Sequence, residues 1–129
     1  MSDYRQPYES LLVWQKADAF VILVYSNTKN FPKEELYGLT SQLRRASLSV
    51  PLNIVEGRAR KGFKEYSRFL HISRGSLSEC AYLLDVAHRL GYLTDEQFVA
   101  SEELRRETSF LLQRLIESLK TTPSTPDAR

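Results

Sequence analysis

Cysteine, methionine and tryptophan each occur once in the 129 residues, and histidine only twice. The lone thiol, Cys80, excludes an intramolecular disulfide and a cysteine-based zinc site, and it fits a reducing compartment. His71 and His88 are too few for bundle-type metal chemistry. Asp85-x-x-His88 has the i, i+3 spacing, but a two-metal carboxylate site needs two Glu-x-x-His pairs and two further glutamates. No metal and no other cofactor is expected. Long hydrophobic runs are missing as well. The run Ala19 to Tyr25 is bracketed by Lys16, Asp18, Asn27 and Lys29, and it falls far short of the about 20 apolar residues that span a bilayer. The first ten residues are polar and mixed in charge with no cleavage site, so a cytoplasmic location and no membrane partner are expected. Strand alternation and internal repeats are lacking. Gly57-x-x-x-x-Gly62 lacks the Lys-Ser/Thr and the preceding strand of a phosphate loop. No nucleophile, base and orienting group assemble from the sequence, so an enzyme is not expected.

What the chain does have is helical periodicity, in a composition typical of one soluble domain. Apolar or small residues recur every three or four positions in four segments. Val13, Ala17, Phe20, Val24 and Thr28 define a first helix from about Glu9 to Lys29, ended by Phe31-Pro32. Positions 39, 43, 46, 50, 54 and 57 define a second, from about Leu39 to Arg60, with a kink expected at Pro51 that Ser47 and Ser49 are placed to relieve. Positions 63, 66, 70, 73, 77, 80, 84 and 87 define a third, from about Phe63 to Leu90, closed by Gly91; Ile72, Leu83, Val86 and Leu90 add a second stripe to it. Thr94-Asp95-Glu96-Gln97 reads as a capping box for a fourth helix, whose face carries Phe98, Ser101, Leu104, Thr108, Leu111, Leu115 and Leu119. The fold class expected is all-α, an up-down-up-down antiparallel four-helix bundle over residues 9–119. Residues 1–8 read as an N-terminal arm, and 120–129, rich in Pro, Ser and Thr, as a disordered tail.

The net charge of +2 hides an asymmetry. Residues 44–74 hold eight Lys/Arg against two Glu, while residues 75–129 carry −3. The cations cluster at the turn between the second and third helices: Arg58, Arg60, Lys61, Lys64 and Arg68, with Arg44 and Arg45 earlier on helix 2. A concentrated cationic end suits phosphate backbones without sequence preference, so these seven are the candidate nucleic-acid-binding residues, for RNA or DNA. The alternative is a protein–protein scaffold whose charge only keeps it soluble.

Asn53, Glu56, Arg74 and Glu79 read as a structural polar network inside the hairpin. With the turn centred near residue 61, position i faces roughly 122 − i. Glu56 then lies near Tyr66, Arg44 or Arg45 near Glu79, and Ser47 opposite Gly75.

The chain resembles the four-helix bundle proteins encoded in 23S rRNA intervening sequences, also labelled ribosomal-protein-like. The resemblance rests on Val13-Trp14-Gln15-Lys16-Ala17, on Phe31-Pro32-Lys33-Glu34-Glu35-Leu36-Tyr37-Gly38-Leu39 and on Gln42-Leu43-Arg44-Arg45-Ala46. It continues through Asn53-Ile54-Val55-Glu56-Gly57, the run from Phe69 to Glu79, and Gly91-Tyr92-Leu93. It implies a homo-oligomer, a pentameric ring. Through the accessory variability determinant protein of diversity-generating retroelements, it also implies a nucleic-acid-binding scaffold that partners a reverse transcriptase or another protein. Pro51 departs from the family pattern, which usually has a helix former such as alanine there.

Overall fold

The apolar stripes of the four segments become the inner faces of four helices. The computed structural model describes residues 7–120, as α1 (Leu12–Thr28), α2 (Leu39–Arg58), α3 (Phe63–Arg89) and α4 (Asp95–Lys120), with 3-10 turns at Pro7–Ser10 and Lys33–Glu35. At 1.5 Å per residue the helices are rods of about 26 to 40 Å. Each packs on two neighbours, α1 on α2 and α4, and α3 on α2 and α4, so the four form a square with alternating direction. The 3-10 turn packs on α1, with Tyr8 edge-on to Trp14 at 4.9 Å between ring centroids. The arm expected over residues 1–8 lies outside the described residues for 1–6, and so does the tail from residue 121.

Side chains from all four helices make one core. Val13, Ala17, Phe20 and Val24 of α1 meet Leu43, Ala46, Val50 and Ile54 of α2 and Leu70, Leu77, Cys80, Leu84 and Ala87 of α3. The inner face of α4 centres on Leu112 and Ile116, both fully buried, while Leu104, Leu111 and Leu115 pack at its margin. The face follows the stripe read in the sequence at Ser101, Thr108 and Leu119, all buried, and lies one residue further on at Leu112 and Ile116, which take the places of Leu111 and Leu115. Burial pushes the Cys80 thiol up to about 12; its thiolate is out of reach at neutral pH.

Polar groups set the ends of the helices. Thr94 and Gln97 form the capping box: the Gln97 N–H donates to Thr94 Oγ1 at 3.1 Å, and the Thr94 N–H to Gln97 Oε1 at 2.9 Å. α3 ends on Gly91, whose φ of +80° suits glycine. The Tyr92 N–H reaches the Ala87 carbonyl and the Gly91 N–H that of His88, the paired bonds of a Schellman motif. Tyr92 also donates from its hydroxyl to Glu35 Oε2 at 3.0 Å, while Glu35 Oε1 accepts the Leu39 N–H that opens α2. One carboxylate therefore ties both connections at that end of the bundle together.

α2 and α3 make the most intimate pair. Ser73 Oγ donates to the Val50 carbonyl at 2.8 Å, and Ser76 Oγ to Ser49 Oγ at 2.8 Å. Asn53 Nδ2 donates to Ser49 Oγ at 3.0 Å and to its carbonyl at 2.8 Å. Pairs such as 50 with 73 and 49 with 76 set the register one to three residues beyond that expected from the sequence. The close approach consequently falls at Gly57, where a Cβ would stand 2.8 Å from Phe69 Cβ and 3.1 Å from the Tyr66 carbonyl. Gly75, expected to face Ser47, has open space around it. α2 runs continuously through Pro51. Ser47 bonds the Arg44 carbonyl, not the carbonyl that Pro51 leaves free.

Candidate functional site

The turn that joins α2 to α3 gathers five of the seven nominated cations. α2 ends on Arg58, Arg60 and Lys61 follow in the connecting turn, and α3 presents Lys64 and Arg68 within its first two turns. Glu56 and Glu65 are the carboxylates among them, which leaves an excess of three positive charges. Phe69 organises two of the arginines: the guanidinium carbons of Arg60 and Arg68 lie 5.1 and 4.5 Å from its ring centroid. Both arginines also pair locally. Arg60 Nη2 is 2.8 Å from Glu56 Oε2, and Arg68 Nε is 3.1 Å from Glu65 Oε2. The bond from Arg68 holds the Glu65 carboxyl below its ordinary range. These exposed pairs are worth little to stability, but they hold the guanidinium groups in place at the surface. Lys61 and Lys64 are exposed and make no ion pair among the described residues. Arg58, half-buried, likewise makes no ion pair among the described residues, so the two lysines are the exposed free charges of the turn.

Arg44 and Arg45 do not join this group. They lie about 20 Å from Arg58 along α2. Arg44 is used inside the fold: Nε donates to Thr28 Oγ1 at 2.8 Å, and the guanidinium stacks over the Tyr25 ring at 4.6 Å. Arg45 is exposed and makes no ion pair among the described residues.

The polar network expected within the hairpin requires correction. Glu56 and Glu79 are exposed, Glu56 pairing with Arg60. Arg74 turns to α4, where Nη1 donates to Gln113 Oε1 at 2.7 Å. Only Asn53 serves the α2–α3 seam, and its partner is Ser49. Glu56 and Glu79 lie off the buried stripes of α2 and α3, and serines occupy the contact instead. Replacing Glu79 by alanine is accordingly expected to move stability by no more than about 0.5 kcal/mol, as surface substitutions usually do. A clear drop in melting temperature would return Glu79 to a buried role.

The chemical candidates elsewhere are occupied. Asp85 pairs with Arg89 at 3.1 Å, and His88 Nε2 lies 2.7 Å from Asp95 Oδ1 with its ring stacked on Phe98 at 4.3 Å. His71 Nδ1 sits 2.8 Å from the Ser67 carbonyl. Among the described residues no group of three His, Cys, Asp or Glu side chains is placed to hold a metal ion, and no helix is long and apolar enough to cross a membrane.

Comparison with known proteins agrees with this architecture. The family model for the 23S rRNA-intervening sequence protein matches residues 9–114. Among solved structures, a Bacteroides thetaiotaomicron protein of unknown function from the S23 ribosomal protein family superposes with a TM-score of 0.75 at 22% identity, over 82% of this chain and 96% of that one. That likeness carries the fold alone. No curated protein matches significantly.

Proposed function

The chain belongs to the 23S rRNA-intervening sequence protein family, and from that premise we propose that it is a non-catalytic, self-associating bundle that binds RNA or DNA. The observation that carries the reading is the basic turn. It holds two free exposed lysines, two guanidinium groups held on Phe69, and an excess of positive charge at one end of a rigid hairpin. Such a surface neutralises phosphates and releases their counterions, and it reads backbone charge with little regard to base order.

Self-association is supported by the outer faces of α1 and α2. Trp14, Val21, Leu48, Pro51, Leu52 and Val55, with Tyr8 and one acid, Asp18, line a largely apolar groove of about 220 Å³ between them. Ile22 and Leu52 on these helices stand 63% and 58% exposed. A contiguous apolar face of this kind suits an interface, and a second copy of the chain is the proposed occupant, with a pentameric ring as the expected assembly. In a ring the basic turn repeats once per subunit, so a modest local charge becomes a cationic rim. The same apolar groove also fits a scaffold that binds only protein, a partner of a reverse transcriptase included.

Two measurements on the purified full chain separate the readings. Light scattering at micromolar concentration is expected to give a closed oligomer, and fluorescence anisotropy at low salt is expected to detect binding of labelled RNA and duplex DNA. A monomer would remove the ring. Binding to neither nucleic acid would favour the protein scaffold.

A further inference from the structure

The start of α2, at the end of the bundle away from the basic turn, frames a different kind of site. Tyr25 from α1, Leu36 and Tyr37 from the connection, and Thr40, Ser41, Arg44 and Arg45 from the first turns of α2 line an open cleft of about 320 Å³. No carboxylate lines it. The neighbouring acid Glu35 has both oxygens committed, to the Leu39 N–H and the Tyr92 hydroxyl. Arg44 is held in position by Thr28, by the Tyr25 carbonyl and by the Tyr25 ring, which leaves Nη1 without a hydrogen bond among the described residues. Arg45 extends beside it, exposed and making no ion pair among the described residues. Tyr37 is 93% exposed, so almost its whole ring stands in water.

A bare aromatic ring next to guanidinium groups and hydroxyls, with no acid between them, matches the chemistry of a nucleotide. The base needs a π-face to stack on, and the phosphate needs a cation with donors nearby. We propose that this cleft takes one unpaired nucleotide, its base stacked on Tyr37 and its phosphate held by Arg45 and Arg44. The proposal rests on the reading of the chain as a nucleic-acid binder, and it adds a preference that the basic turn lacks. A base paired in a duplex offers its edge and not its face, so the cleft selects single strands. An acidic peptide would satisfy the arginines but would leave Tyr37 unused.

The test compares a short labelled single-stranded RNA with a duplex of the same length, bound to the full chain and to Tyr37→Ala, Tyr37→Phe and Arg45→Ala. Because Tyr37 and Arg45 are exposed, the variants should melt like the parent. Tyr37→Ala is expected to weaken single-strand binding about tenfold, the scale of one lost base stack, and to leave duplex binding unchanged. Tyr37→Phe, which keeps the ring, should bind like the parent. Arg45→Ala should weaken single-strand binding as well. Single-strand affinity unaltered by Tyr37→Ala, or single-strand and duplex affinity lost together, would overturn the cleft while leaving the basic turn in place. A parent protein that binds neither probe would overturn the underlying reading itself. An acidic peptide that binds the parent and Tyr37→Ala equally, with RNA affinity unmoved by the substitution, would make the cleft a peptide site instead.

Discussion

Valine in place of Gly57 should destabilise the bundle by about 3 kcal/mol, the upper end of what overpacking costs. The added Cβ would fall 2.8 Å from Phe69 Cβ, 3.0 Å from Tyr66 Cδ1 and 3.1 Å from the Tyr66 carbonyl. These are a backbone oxygen and atoms close to the main chain, not the free ends of long side chains, so α2 and α3 must separate to admit it. The separation would strain the Ser73–Val50 and Ser76–Ser49 bonds that lie along the same seam. For a chain of this size the loss lowers the melting temperature by on the order of 10 °C. Gly57→Ala meets the same contacts but recovers up to about 1 kcal/mol of helix propensity, so its loss should be smaller. Gly75 supplies the control. It lies inside α3 with nothing within 4 Å of a new Cβ, and alanine there should stabilise by up to about 1 kcal/mol. Thermal melts followed by circular dichroism give all three values. A Gly57→Val protein that melts like the parent would show that the hairpin is not closed at this point.

The second large effect is on binding. Lys61→Glu combined with Lys64→Glu should weaken nucleic-acid affinity by roughly a hundredfold at moderate salt, since two phosphate contacts are lost and two repulsions gained. These two positions suit the purpose better than the arginines. Arg60 and Arg68 are bound to Glu56 and Glu65 and stack on Phe69, so reversing them would disturb local structure as well as charge. Lys61 and Lys64 are exposed and carry no ion pair among the described residues. Helix content and oligomeric state should therefore stay as they are, and only affinity should fall. Equal binding by the double variant would move the phosphate contacts off the turn.

Periodicity made the helices readable before any coordinates, because burial of one face per helix imposes a three-to-four spacing that few other arrangements share. The stripe on α3 from Phe63 to Ala87 is buried position for position. The capping box at Thr94 and the stop at Gly91 were readable for a similar reason, since each depends on side chains within one or two turns. Relations between helices were not. A register shift of one to three residues brought Ser49, Ser73 and Ser76 together at the seam, and no local pattern announces such a shift. On α4 the expected stripe holds at Ser101, Thr108 and Leu119, but Leu112 and Ile116 take the buried places of Leu111 and Leu115, a choice between adjacent leucine and isoleucine positions that periodicity leaves open. The basic turn was visible as a run of charge. That Arg60 reaches the Phe69 ring beside Arg68, and that Arg44 is positioned by Thr28 and Tyr25, depends on where side chains of other segments fall.

Salt dependence tests the central claim most directly, because only phosphate neutralisation ties affinity to counterion release. Labelled duplex DNA titrated with the parent protein at two or more salt concentrations is expected to give log affinity falling linearly with log salt, with a slope of about −0.9 per phosphate contacted. The Lys61→Glu, Lys64→Glu variant should show a shallower line. No binding at low salt, or binding whose affinity does not change with salt, would contradict the account.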